Sequence, residues 1–262
     1  MQERHKDRQL YFEEQGATTL KYVIPYLNRV KPLQNEEMIC EIGCGEGGNL
    51  KPFLDQGYQI TGIDINAQQI ENAHAFYQNH PNRNNLKLIC CDIYQVDPET
   101  LPKFDVLILR DVIEHIPNQE RFFNEVKNFM KPQARLFIAF PPWRMPFGGH
   151  QQICTHRILS KLPWIHLLPA SLYRAVLQWG KESPEGISEL LELKKTGISI
   201  RRYHKLLKKT GFKITAEDCF LINPNYEIKF RLKPRKLYSI FKIPYLSDFY
   251  TTAIYSVIEV KQ

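Results

Sequence analysis

The apolar residues of this chain fall into two alternating periods. Short, nearly continuous apolar runs at 38–44 (MICEIGC), 58–63 (YQITGI), 86–93 (LKLICCDI), 104–110 (FDVLILR) and 134–140 (ARLFIAF) predict buried strands. Helical spacing separates them. Residues 16–31 place Leu20, Val23, Ile24 and Leu27 on one face, with Pro25 expected to kink or restart the helix. Residues 66–79 follow Asn66, a good N-cap, and residues 118–130 are expected to end at Lys131-Pro132. Strand and helix patterns alternate five times, the signature of a doubly wound α/β sheet.

After Phe140 the regularity breaks. PPWRMPFGGH reads as a turn-rich loop, and residues 157–195 as helical pieces broken at Pro163, Pro169 and Pro184. The pattern returns as an amphipathic helix at 198–210 closed by Gly211, a strand at 212–222 and a last strand at 251–260. No internal repeat or low-complexity tract is present. The reading is one domain, 1–262, with a lid or acceptor insertion at 141–197 and a basic, aromatic insertion at 223–248, both near the working edge of the sheet.

Composition supports a packed core, since 43% of residues are hydrophobic. Six cysteines at 40, 44, 90, 91, 154 and 219 contain no CxxC pair, so neither a disulfide scaffold nor a structural zinc site is expected. The start, MQERHKDRQL, lacks the apolar stretch of a signal peptide. No apolar run approaches the ~20 residues of a membrane span, so the expected compartment is the cytoplasm. The net charge of +7 divides unevenly, −4 over residues 1–140 and +11 over 141–262.

The chemistry begins at residues 41–48, EIGCGEGG, where Gly43, Gly45 and Gly48 fit GxGxxG between a strand and a helix. Glycine lets backbone approach a ligand closely, whether a dinucleotide or another nucleotide-like cofactor. Three acids separate the two. Glu41, just before the first glycine, is ill placed beside a pyrophosphate but suits an ammonium and a sulfonium. Asp64 ends the second strand, where a carboxylate can accept ribose hydroxyls, and Asp92 ends the third, where it can accept from an adenine amino group.

Taken in order, E-I-G-C-G-E-G, Asp64, C-D-I at 91–93 and F-D-V-L-I-L-R-D-V-I-E-H-I-P at 104–117 resemble a class I S-adenosylmethionine-dependent methyltransferase over roughly 35–140. The resemblance implies a Rossmann-like seven-stranded sheet, mostly parallel, with the last strand antiparallel. It implies S-adenosylmethionine as cofactor, contacted at Glu41, Gly43, Cys44, Gly45, Gly48, Asp64, Ile65, Asp92, Ile93 and Arg110.

Methyl transfer asks the protein for alignment, enclosure and, for hydroxyl acceptors, proton removal. His150, in PFGGHQQ beyond the fifth strand, and His115 are the candidate catalytic histidines. Asp111, Glu114 and His115 would share one face of a helix. That face resembles the metal half-site of small-RNA 3′-end 2′-O-methyltransferases, with His150 or His156 available to complete it. The same I-E-H-I-P stretch occurs in metal-free enzymes, and no metal is assigned. The apolar stripe Leu167, Leu168, Leu172, Val176, Trp179 suits a pocket wall or a lipid surface. The basic, aromatic run KFRLKPRKLYSIFK at 229–242 suits phosphate-bearing ligands or an anionic membrane. No RNA-binding module is recognisable, so nucleic acid ranks below a small or lipid-linked, anionic acceptor. The expectation is methyl transfer to O or N of such an acceptor. The alternatives are a metal-dependent RNA 2′-O-methyltransferase and a non-catalytic cofactor-binding scaffold.

Overall fold

The computed structural model of the protein describes residues 7–241 and 243–261. Its strands are β1 Met38–Ile42, β2 Gln59–Asp64, β3 Leu86–Cys90, β4 Phe104–Arg110, β5 Met130–Phe140, β6 Phe212–Ile222, β7 Arg235–Lys236 and β8 Ala253–Val260. They form an eight-stranded sheet in the order β3-β2-β1-β4-β5-β8-β6-β7. β1 to β5 pair in parallel, and β8 lies antiparallel between β5 and β6. The expected seven strands are all present, with the last antiparallel. The eighth, β7, is a two-residue addition to the edge of β6, within the stretch expected to be irregular.

The helices are α1 Arg8–Thr18, α2 Ile24–Val30, α3 Lys51–Asp55, α4 Ala67–Phe76, α5 Gln119–Glu125, α6 Ala170–Trp179, α7 Pro184–Thr196, α8 Ile200–Lys209 and α9 Asn225–Phe230. Two apolar clusters sandwich the sheet. One holds Leu27, Leu54 and Ile70 from α2, α3 and α4; the other holds Phe122, Phe123, Tyr203 and Leu207 from α5 and α8. Helices thus cover both faces, as the buried, almost wholly apolar β4 requires.

Four local readings are corrected. The first helix starts at Arg8, not at 16, capped by the Asp7 side chain on the Leu10 N–H. A π turn, Thr19–Val23, joins α1 to α2 and seats Pro25 in the first turn of α2, where a missing N–H costs little. The wider turn rotates Leu20 outward, to 57% exposure, away from buried Val23, Ile24 and Leu27. The helix expected over 118–130 ends at Glu125 and tightens into a 3₁₀ turn, Val126–Phe129. Lys131-Pro132 then lies inside β5, at an irregularity where pairing jumps from Phe104↔Met130 to Val106↔Arg135, so the proline breaks no regular ladder. In the basic stretch, residues 225–230 are helical as α9.

Residues 141–197 carry a third apolar cluster of their own, built on Tyr173 and Leu177 of α6 and Ile187, Leu190 and Leu193 of α7. Pro169 and Pro184 stand at the starts of those helices, as expected. The expected stripe on α6 is not its packed face: Leu172 and Trp179 are 50% and 68% exposed, and the buried side is Tyr173 and Leu177. Among the described residues, no helix is long and apolar enough to cross a membrane.

Candidate cofactor and acceptor site

A cavity of about 800 Å³ opens at the carboxyl ends of β1, β2 and β4 and beside the residues that follow β3. That is where an open parallel sheet reverses its strand order and binds ligands. The glycine loop after β1 forms its floor. Gly43, Gly45 and Gly47 have φ of +72°, +55° and +82°, conformations that side chains resist. A Cβ on Gly43 would stand 2.4 Å from Val112 Cγ2, so close packing also demands glycine there. The Gly43 and Cys44 N–H groups both donate to the Ile63 carbonyl, at 2.7 and 3.1 Å. Gly48 lies off the cavity. A Cβ there would come 2.6 Å from the Phe12 carbonyl, so it admits the close approach of α1 instead.

Asp64 braces this loop from the end of β2. One carboxylate oxygen accepts the Gly45 N–H at 2.7 Å, and the other accepts the Asn66 N–H at 2.8 Å. Asn66 in turn caps α4 through the Gln69 N–H. Ile65, beside it, is 71% exposed at the cavity wall. Asp92, Ile93 and Tyr94 form the facing wall, with the Asp92 carboxylate accepting the Tyr94 N–H at 3.0 Å. Cys44 and Cys91 also line the cavity, and all six cysteines are free thiols.

Glu41 does not line the cavity. It is fully buried, with Oε1 accepting from Asn49 Nδ2 at 2.7 Å and Oε2 lacking a hydrogen-bond partner. Burial raises its pKa to about 8, against the opposing pull of the Asn49 hydrogen bond and the Arg110 charge. Asn49 and Arg110 stand between it and the cavity, which both line. The buried Arg110 guanidinium donates to Asn49 Oδ1 at 2.7 Å and to Thr19 Oγ1 at 3.2 Å. Sequence alone missed Asn49, whose part in this chain depends on the tertiary approach of α1.

The three candidate groups after β4 do not share a helix face. Ile113–His115 is a single 3₁₀ turn, and Asp111 precedes it with φ +54°, pointing an exposed carboxylate toward Arg110 at 3.8 Å. His115 lines the cavity. His150, in a left-handed conformation, stacks on His115 with ring centroids 5.3 Å apart and stands behind it. Buried Glu114 joins them, and donor atoms of the three lie within 4.8 Å of one another. Both Glu114 oxygens lack partners, and burial, then the Asp111 charge, holds its pKa well above the carboxylate range. Partial desolvation lowers the pKa of His115, a residue exposed at the cavity, despite the charges of Asp111 and Glu189, and burial lowers that of His150 to about 4, so both rings are largely neutral at pH 7. His156 lies elsewhere, against Trp179 at 5.4 Å.

The remaining wall joins α1, which was not anticipated, to the insertion expected near the working edge. Tyr11 and Gln15 reach the cavity from α1, and Asn225 and Lys229 from α9. The two helices are joined by Thr18 Oγ1 to Asn225 Oδ1 at 3.1 Å, and the Lys229 ammonium lies 5.3 Å from the Tyr11 ring centroid. The basic insertion therefore contributes to the site rather than standing apart from it.

A methyltransferase domain family matches residues 40–138, spanning β1 to most of β5. Residues 40–138 carry a methyltransferase domain. The chain is 33% identical over 112 residues to a ubiquinone biosynthesis O-methyltransferase of Pelagibacter ubique, covering 42% of this chain and 43% of that protein. It is 30% identical over 129 residues to the Bartonella tribocorum protein of the same name, covering 48% and 49%. The chain thus matches less than half the length of these curated relatives. Solved methyltransferases share the whole fold. The plantazolicin methyltransferase BpumL, in complex with a triazolic desmethylPZN analogue and S-adenosylhomocysteine, superposes with a TM-score of 0.60 at 12% identity, over 100% of this chain and 90% of that one. The geranyl diphosphate C-methyltransferase of Streptomyces coelicolor A3(2) gives 0.56 at 11% identity, over 98% and 80%. The methyltransferase match ends before α6, α7 and α9, so the wall that α9 adds to the cavity lies outside it.

Proposed function

We propose that the protein binds S-adenosylmethionine in the cavity at the β1, β2 and β4 ends and methylates an oxygen of a small or lipid-linked acceptor. The observation that carries this is the conjunction of a close-packed glycine loop with Asp64 and Asp92 at successive strand ends, all lining one cavity. The residues fit that cofactor. Ile65 and Ile93 offer apolar wall for an adenine. Asp64 and Asp92 keep lone pairs for ribose and amino donors beyond the backbone N–H groups they already accept.

When bound, S-adenosylmethionine supplies an activated methyl group, and S-adenosylhomocysteine is the leaving group. The chain's own task is to hold the acceptor in line and take its proton. His115 is largely neutral at pH 7 and lines the cavity, so one ring nitrogen can receive the proton of an acceptor hydroxyl. His150 packs behind it and fixes the ring. Oxygen is favoured over nitrogen because this base is in place and because the curated relatives are named as O-methyltransferases. Lys229 and Tyr11, on the open wall, favour an acceptor with an anionic group beside an aromatic or apolar body.

A second reading has its own observation. Glu114, His115 and His150 converge, and the buried carboxyl of Glu114 is unsatisfied. These three could hold a divalent cation, which would lower the pKa of an acceptor hydroxyl bound to it. The deciding experiment supplies labelled S-adenosylmethionine with hydroxylated acceptor pools and follows S-adenosylhomocysteine release with and without EDTA. Turnover unaffected by EDTA supports the histidine base. Loss restored by Mg²⁺ or Mn²⁺ replaces it with the cation. Cofactor binding with no turnover on any acceptor leaves a non-catalytic scaffold.

A further inference from the structure

We infer that the segment following α9 is a docking surface for an anionic membrane, which seats the acceptor side of the cavity against lipid. Between residues 229 and 246 the sequence holds six basic residues and no acidic one. Its large apolar side chains are turned to solvent: Leu232 is 49% exposed, Tyr238 77%, Ile240 76%, Phe241 50%, Ile243 45% and Leu246 54%. A solvated basic loop would have no reason to present these side chains, because a chain gains by burying them. Nor is this a poorly packed stretch. Leu237 is buried, its N–H donates to the Cys219 carbonyl at 2.8 Å, and Tyr250 holds the Phe241 carbonyl through its hydroxyl. The segment is pinned to the sheet edge with its apolar side chains outward.

Charge selects the occupant. Lys236 pairs with Asp218 at 2.7 Å, a carboxylate that it shares with Arg29. Arg231, Lys233 and Arg235 are exposed, and no acid within the segment offsets them. Aliphatic and aromatic side chains alternating with uncompensated cations match a leaflet with acidic head groups. A second copy of the same segment would set cations against cations. The placement also has a use. α9, which supplies Asn225 and Lys229 to the cavity wall, leads directly into this segment, so docking brings the cavity rim to the lipid. This use rests on the methyl-transfer reading; the docking itself does not.

The test is co-sedimentation of the full chain with vesicles of phosphatidylcholine alone and of phosphatidylcholine with one third phosphatidylglycerol, at low and high salt. We expect binding to the anionic vesicles only, weakened by salt. In Arg231→Glu/Lys233→Glu/Arg235→Glu, binding should fall by at least about a hundredfold, since the loss of three cations each worth about a fivefold change already gives that before the new acids repel the surface. Tyr238→Ser/Ile240→Ser should also weaken binding with all charges kept, because docking needs the apolar side chains as well. S-adenosylhomocysteine should raise the melting temperature of wild type and both variants alike. Loss of that thermal response in the wild type would count against the cofactor site and not against docking. The docking inference is overturned if the wild type ignores anionic vesicles at low salt, or if charge reversal leaves binding intact. It is equally overturned if the segment instead drives concentration-dependent dimerisation that Tyr238→Ser/Ile240→Ser abolishes.

Discussion

Asp64→Ala separates what this carboxylate does for the fold from what it does for the cofactor. In the free protein it accepts two backbone N–H groups, from Gly45 at 2.7 Å and Asn66 at 2.8 Å, tying the glycine loop to the start of α4. Hydrogen bonds to a charged group contribute about 1.5–3 kcal/mol each when buried. Asp64 is half-buried and water can replace it, so roughly 1–3 kcal/mol is expected for the pair together. For a chain of this length that lowers the melting temperature by roughly 3–10 °C. If the same carboxylate also accepts the ribose hydroxyls, S-adenosylhomocysteine binding weakens by about 10- to 150-fold, the equivalent of about 1.5–3 kcal/mol. Asp64→Asn keeps one carbonyl acceptor, so it should lie between wild type and alanine in both quantities. The assay is a thermal melt of each variant with and without S-adenosylhomocysteine, followed by calorimetric titration. A destabilised Asp64→Ala that still binds S-adenosylhomocysteine as tightly as wild type would refute the ribose assignment and leave Asp64 a brace for the loop. An unchanged melting temperature would refute the brace.

The other predictions concern the same cavity. His115→Ala should lower kcat by about 10²- to 10⁴-fold with cofactor affinity intact, the range for loss of a general base. Because partial desolvation lowers the His115 pKa, the acid limb of kcat/KM should fall below pH 6.5; a limb above that value would remove His115 as the base. Gly43→Ala should abolish S-adenosylhomocysteine binding, and Val112→Ala should restore only part of it, since it removes the 2.4 Å clash but not the strain of φ +72°. Glu41 links stability to pH in a definite sense. Its folded pKa, about 8, exceeds the unfolded value of 4.5, so the folded protein holds the extra proton between the two and is destabilised as pH rises through that window. The slope is at most about 1.4 kcal/mol per pH unit. Melting curves of the ligand-free protein from pH 5 to 8 should show this decline, and Glu41→Gln should flatten it; an equal decline in the variant would assign it to other groups.

Strands were legible wherever burial on both faces forced a continuous apolar run, and β4 and β6 were located to the residue. Misreadings arose where one residue type serves two purposes. Lys131-Pro132 carries the mark of a helix end, yet the proline sits in a strand irregularity that local sequence does not announce. RQLYFEEQGAT looks too polar for a packed helix, yet α1 buries Phe12, Glu14, Gly16 and Thr18 because the glycine loop approaches it so closely. In the site, acids and glycines at strand ends were readable because the parallel sheet itself places them. The α1 part of the wall was not, since it meets α9 only through residues some two hundred positions apart.

Charge gains its meaning from that wall. Glu46, Asp64, Asp92 and Asp111 reach the cavity from the acidic first half, while Lys229 reaches it from the basic second half. On the proposed reading, a positively charged cofactor is attracted to the strand-end carboxylates, and any anionic group on the acceptor to the side that carries the lysine. On the same reading, the product cofactor, having lost its positive sulfur, is held less strongly by those acids than the substrate cofactor was. Since the acids are mostly engaged by backbone N–H groups or by Arg8 and Arg110, the bias is moderate. A moderate bias suits turnover, because acids left without such partners would hold the cation too tightly to exchange it.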